Sequence, residues 1–187
     1  MRRVTPLLGT LAVVTMLAAG CAGATTSSAR SSARELKTKP AGTAKTGGPA
    51  VVPASLKFTG KTLDGQPFDA ATLAGKPVIL WFWAPWCATC MGQAPEVHDI
   101  GAQYAGRVSV LGIAGLDQSV PAMKQFVADG DVANVPHLDD KAGVLYRRFN
   151  ITEQSTFVLI NRKGKVMATT YLDTVTLGDW AAYLDKH

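Results

Sequence analysis

The stretch from Pro77 to Pro85, PVILWFWAP, constrains this chain more than any other. Its apolar run is too short to span a membrane and is rich in residue types that favour strands, so it predicts a buried strand. Pro85 ends it. Cys87 and Cys90 then open a stretch of good helix formers reaching about Tyr104, with Pro95 removing one backbone N–H on the way. Strand side chains alternate between faces, so Trp81 and Trp83 point one way and Phe82 the other, and both indoles read as core. Trp86, past the strand, is expected at the mouth of whatever the two cysteines form.

A cysteine at a helix N-terminus lies beside unpaired N–H groups and the positive end of the helix dipole, which favour thiolate over thiol. Cys87 is therefore the expected nucleophile. Cys90, about one helical turn on, is placed to attack a mixed disulfide formed at Cys87 and release its partner. Cys-x-x-Cys alone also serves zinc sites and structural pairs. What favours a redox pair is the succession of buried strand, Trp-Ala-Pro-Trp, Cys-x-x-Cys and helix.

Three segments, LWFWAPWCATC (Leu80–Cys90), TLDGQPF (Thr62–Phe68) and AGLDQSVPAMKQFV (Ala114–Val127), resemble the thioredoxin superfamily, in particular secreted actinobacterial thiol:disulfide oxidoreductases of the DsbE and DsbF type. The likeness runs from about Leu56 to the C-terminus. It implies a thioredoxin-like α/β fold, a mixed central β-sheet flanked by helices, with an N-terminal β-hairpin. The implied activity is disulfide exchange through Cys87 and Cys90, without a cofactor or metal. The partners it implies are exported proteins carrying thiols or disulfides and a membrane redox protein that regenerates the pair.

The N-terminus supplies the address. Met1-Arg2-Arg3 and the apolar Val4–Ala19 read as an export signal. Leu17–Cys21, LAAGC, resembles a bacterial lipobox, so residues 1–20 are expected to be removed and Cys21 lipidated, the alternative being plain secretion after cleavage near Ala22-Gly23-Ala24. Residues 22–55 are Ala, Ser, Thr, Gly, Pro and Lys with almost no large apolar side chain before Val51. They cannot bury a core, and as a tether they reach on the order of 30 Å. The organisation expected is thus a signal peptide over 1–20, a lipidated Cys21 and flexible tether over 21–55, and one thioredoxin-like domain over 56–187, monomeric and held at the outer face of the cytoplasmic membrane.

Charge agrees with that division. The net charge is +5, yet residues 56–187 carry 12 Lys/Arg against 13 Asp/Glu. The basic excess belongs to the leader and tether, so the domain offers no nucleic-acid surface. With Cys21 lipidated, Cys87 and Cys90 are the cysteines left in the mature chain, too few for a disulfide framework.

Further along, Asp64-Gly65 signals a hairpin between strands near Leu56–Thr59 and Gln66–Asp69. Arg107–Ala114 reads as a second buried strand and Ser119–Ala128 as a helix, and strand-helix alternation points to parallel pairing with right-handed crossovers. A short helix is expected over Lys141–Phe149, with acids at its start and Arg147-Arg148 in its last turn. Thr156–Ile160 and Lys165–Tyr171 should form an antiparallel hairpin, and Thr176–Lys186 an amphipathic helix with Leu177, Trp180, Ala181 and Leu184 on one face.

The chain departs from its relatives where proton transfer and substrate contact are expected. Many thioredoxins carry a buried acid six positions before the first cysteine, and here that residue is Trp81. Membrane-tethered reductases of this group often carry Glu three residues after the second, and here that residue is Gln93. The family's cis-proline, which faces the cysteine pair, corresponds to Ser155 in EQSTFVLI, and a trans Gln154–Ser155 bond is expected because a non-proline cis bond costs about 2.5–4 kcal/mol. By the resemblance, Trp86, Gln154, Ser155 and Thr156 contact the client. Oxidation of exported proteins is the expected direction, with a membrane-tethered reductase of cytochrome c maturation as the alternative. A hydroxyl in place of the ring also raises a metal-binding or delivery module, using Cys87 and Cys90 as soft ligands. His98, His137 and His187 do not stand at ligand spacing from the pair.

Overall fold

The computed structural model describes residues 51–187. The expected signal peptide, Cys21 and most of the tether lie outside the described residues. The elements run β1 (Thr59–Lys61), β2 (Pro67–Asp69), β3 (Val78–Trp83), α1 (Ala88–Gln103), β4 (Ser109–Ala114), α2 (Val120–Asp129), β5 (His137–Asp139), α3 (Val144–Arg148), β6 (Thr156–Ile160), β7 (Val166–Tyr171) and α4 (Thr174–Lys186), with single 3-10 turns at Ala54–Leu56 and Ala70–Leu73.

An all-apolar strand must be covered on both faces. β3 is, because it is the middle strand of a five-stranded sheet ordered β5-β4-β3-β6-β7, and all its residues are buried. Ile79, Trp81 and Trp83 face Val97 and Ile100 of α1, Met123 and Phe126 of α2, and Leu177, Ala181 and Leu184 of α4. Val78, Leu80 and Phe82 face the other way, into Leu56, Phe58, Ala70 and α3 residues Leu145 and Tyr146. Trp83 stacks on Phe126 with ring centroids 4.2 Å apart, and Trp81 lies parallel to Phe157. Truncating such a ring to alanine costs about 3–5 kcal/mol.

The crossovers β3-α1-β4 and β4-α2-β5 join parallel strands, as the alternation predicts, while β6 runs antiparallel to both β3 and β7. β1 and β2 pair antiparallel as a separate hairpin, with Gly65 at φ +79 in its turn. Leu63 N–H reaches His137 O at 3.0 Å and ties that hairpin to the sheet edge.

Several boundaries move. The helix expected over Lys141–Phe149 is only Val144–Arg148, because Gly143 takes φ +66 and its N–H closes a turn on Asp140 O at 2.7 Å. Asp140 then favours the helix start by direct bonds, its carboxylate accepting from Leu145 N–H and Tyr146 N–H at 3.0 Å. The first strand begins at Thr59 rather than Leu56, since Ala54–Leu56 coil into a 3-10 turn. α4 starts at Thr174, where Asp173 caps it by accepting from Thr176 N–H at 2.8 Å. The last residues assigned to the tether pack on the domain: Val52 lies against the core and Ser55 Oγ donates to Gly164 O at 2.7 Å. The folded body therefore begins before Leu56.

Candidate active site

Because β3 is parallel to β4 and antiparallel to β6, the ends of β3 and β4 and the start of β6 share one edge of the sheet. The cysteines lie there. Ala84-Pro85-Trp86 carries the chain out of β3, and Cys87 becomes the N-cap of α1 with extended backbone, its Sγ accepting from Cys90 N–H at 3.0 Å. That bond and the helix dipole both favour charge on Cys87 sulfur. Cys87 and Cys90 are joined as a disulfide with Cα atoms 5.3 Å apart. The two halves differ in access: Cys87 keeps 6% of its surface and Cys90 none.

Trp86 stands beside the pair, 56% exposed, its indole N–H bonded to Leu116 O at 3.1 Å. Leu116, just past β4, is itself half exposed and holds a left-handed φ of +56. Sequence reasoning missed Leu116. Its part is played by a backbone carbonyl, which no side-chain pattern marks.

Across the edge, the Gln154–Ser155 bond is trans and Ser155 takes φ +70. Its N–H donates to Phe82 O at 2.8 Å, one step before the β3-β6 register begins. The turn brings Ser155 Oγ to 3.7 Å from Cys90 Sγ and 4.0 Å from Cys87 Sγ. Gln154 is half-buried next to it, and Thr156 turns its hydroxyl to Glu153 O at 3.1 Å. The structure thus gathers Trp86, Cys87, Cys90 and Ser155 at one place and sets the Thr156 hydroxyl on its own loop.

The two residues in the acid positions meet each other. Trp81 Nε1–H donates to Gln93 Oε1 at 3.0 Å, and Gln93 Nε2 donates to Leu172 O at 2.9 Å. Ser155 Oγ–H donates to the same Gln93 Oε1 at 3.4 Å, so an uncharged chain of bonds leads from the core to the sulfurs. The ionisable groups lie elsewhere. Glu96, on α1, has its pKa raised by partial burial first and Asp99 second. His137 packs under Trp83, accepts its indole N–H at 3.2 Å through Nδ1, and so donates from Nε2 to Val132 O at 3.0 Å. Burial pushes its pKa down to about 4. His98 pairs with its neighbour Asp99 at 3.2 Å on the surface of α1. Among the described residues no three His, Cys, Asp or Glu side chains converge as a metal-ligand set. Nor, among them, is any helix long and apolar enough to cross a membrane.

This chain is similar to the soluble secreted antigen MPT53 of Mycobacterium tuberculosis, with 41% identity over 109 residues, 58% of this chain and 61% of the relative. The match thus spans less than two thirds of that curated relative's length. Among solved structures it is similar to the MTB protein dsbF in its mixed oxidized and reduced forms, with TM-score 0.67, 40% identity, and 71% and 98% of the two chains covered. It is also similar to a secreted Mycobacterium tuberculosis disulfide oxidoreductase homologous to E. coli DsbE, with TM-score 0.64, 35% identity, and 70% and 98% covered. The family match extends over residues 52–169, from the hairpin through the cysteine pair to most of β7, and on it the chain belongs to the AhpC/TSA family, here with the thioredoxin-like fold.

Proposed function

We propose that the protein exchanges disulfides with exported proteins through Cys87 and Cys90, and that it acts as the oxidant. The observation that carries this is the unequal pair: Cys87 Sγ at the N-cap of α1, held by Cys90 N–H at 3.0 Å, bonded to a Cys90 with no exposed surface. A client thiolate attacks Cys87 Sγ, forming a mixed disulfide while Cys90 Sγ takes the electron pair of the broken bond. The client's second thiolate then attacks its own sulfur, and Cys87 leaves as a thiolate favoured by the helix terminus. The client is oxidised by two electrons and the pair is reduced. No cofactor enters, and a membrane redox protein is the proposed source of reoxidation. Trp86 offers the client an exposed aromatic face. The Ser155 N–H is already bonded to Phe82 O and is not free to donate to the main chain of a client.

Export follows from the leader at residues 1–20 and is supported by the secreted relatives. Lipid on Cys21 would hold the domain at the outer membrane face as a monomer on its tether. A mature N-terminal peptide with the mass of diacylated Cys21 is expected, and an unmodified N-terminus at Ala22 or beyond would make the protein freely secreted.

The equilibrium reduction potential decides direction. Measured by Trp fluorescence in glutathione and dithiothreitol buffers, a value near −120 mV, the range of strong disulfide donors, is expected. A value near or below −270 mV would make the protein a reductase, with cytochrome c maturation as its setting. Absence of any two-electron transition would sink both directions and turn attention to metal binding by the cysteines.

A further inference from the structure

Cys90 is the difficult half of the pair. It has no exposed surface, so a thiolate formed there gives up hydration, and burial by itself raises a thiol pKa. The positions that could hold an ionisable partner are Trp81 and Gln93, bonded to one another. The side chain within hydrogen-bonding distance of Cys90 Sγ is Ser155, at 3.7 Å.

Two observations bear on what that hydroxyl does. Gln93 is fixed in orientation, since its Nε2 donates to Leu172 O and its Oε1 accepts from Trp81. The atom it turns to Ser155 is thus an acceptor, and with the sulfurs bonded to each other Ser155 O–H rests on it at 3.4 Å. A hydroxyl hydrogen can rotate. When it turns to a sulfur, Gln93 Oε1 keeps its bond from Trp81, so no buried group is orphaned. The second observation is the backbone: a side chain at φ +70 costs roughly 1–2 kcal/mol that glycine would avoid. The turn carries this strain at the one place where the side chain reaches both sulfurs.

We propose that Ser155 is a catalytic residue that donates its hydroxyl hydrogen bond to Cys90 Sγ as that sulfur leaves, the role a charged or ionisable group would otherwise fill. The proposal rests on the exchange chemistry above. In the step, the client thiolate bonds to Cys87 Sγ, the Cys87–Cys90 bond breaks, and the electron pair and negative charge settle on Cys90 Sγ. Ser155 O–H turns from Gln93 Oε1 to meet it. No proton or electron comes from outside, and a leaving thiol of lower pKa leaves faster.

The test uses the full-length protein in detergent, with Ser155→Gly and Ser155→Ala. Alanine removes only the hydroxyl, while glycine removes the whole hydroxymethyl group but accepts the left-handed turn, so S155G folds whatever alanine does there. Reduction by glutathione is followed by Trp fluorescence, and Cys90 is titrated by thiolate absorbance at 240 nm in a Cys87→Ala background with and without S155G. Both Ser155 variants should be reduced about tenfold more slowly, equivalent to about 1.4 kcal/mol, and Cys90 should titrate about one pH unit higher without the hydroxyl. A merely structural Ser155 would leave S155G at the wild-type rate and the titration in place, which overturns the proposal. Slowing by alanine but not glycine would assign the effect to the backbone and overturn it equally. If the wild type itself fails to exchange with glutathione, the exchange reading falls, and the Cys90 titration still decides whether the hydroxyl stabilises the thiolate.

Discussion

His137 is a buried imidazole that receives one hydrogen bond, from Trp83, and gives one, to Val132, and the bond it receives at Nδ1 requires it neutral. Its pKa falls to about 4, chiefly through desolvation, whereas the unfolded chain keeps the ordinary value of 6.5. Between those values the unfolded chain binds a proton that the native protein does not. Stability therefore rises with pH through that window, is complete above about pH 6.5, and is lost as pH falls. Between pH 7 and pH 5 the loss from this residue is about 2 kcal/mol. His137→Gln supplies an oxygen to Trp83 and an N–H to Val132 without titrating. Urea midpoints of the oxidised protein should shift less between pH 7 and pH 5 in H137Q than in the wild type, and equal shifts would show that other groups set the acid limit. The same residue illustrates a limit of sequence reasoning. It can be read as a strand-end histidine, but its bond to Trp83 spans 54 positions that no local pattern connects.

Elements that were legible in the sequence are those whose own residues settle their state. β3 is an unbroken apolar run, β6 is read with its observed ends, and α1 spans Ala88–Gln103 because its formers outweigh one exposed Pro95. Val97, Ile100 and Tyr104 fall at helical spacing and are buried. Elements left unread or misplaced are those decided by contacts outside themselves. β5 has three residues, too few to show a period, and exists through its pairing with β4. α3 starts late because Gly143 and the Asp140 carboxylate build a turn first. The site divides in the same way. Cys87 at a helix start was readable from order alone, and the placement of Ser155 opposite the pair came with the resemblance. Its left-handed backbone, and the bond that joins Trp81 to Gln93, arise from how β3, α1 and β6 meet.

For the molecule as a whole, the disulfide is a poor staple. Its cysteines are three positions apart, so closing that loop removes little entropy from the unfolded chain, and the two-sided core around β3 holds the fold in either redox state. What differs between the states is the edge of the sheet. On reduction, Cys87 sulfur gains the N-terminal dipole of α1 and the Cys90 N–H bond as partners of a charge, and Cys90 gains Ser155. These interactions exist only in the folded protein, so they favour the reduced fold over the reduced unfolded chain. Redox potential and stability are then one cycle: for each 30 mV by which the folded pair is more oxidising than the unfolded pair, the reduced fold is more stable than the oxidised fold by about 1.4 kcal/mol. A disulfide donor must therefore be a protein that its own disulfide destabilises. Thermal melts at pH 7 with and without dithiothreitol should show the reduced protein melting higher, by roughly 4 °C for each kcal/mol. The opposite order, with the oxidised protein melting higher, would mean that the fold protects the bond, and the direction of exchange proposed here would have to be reversed.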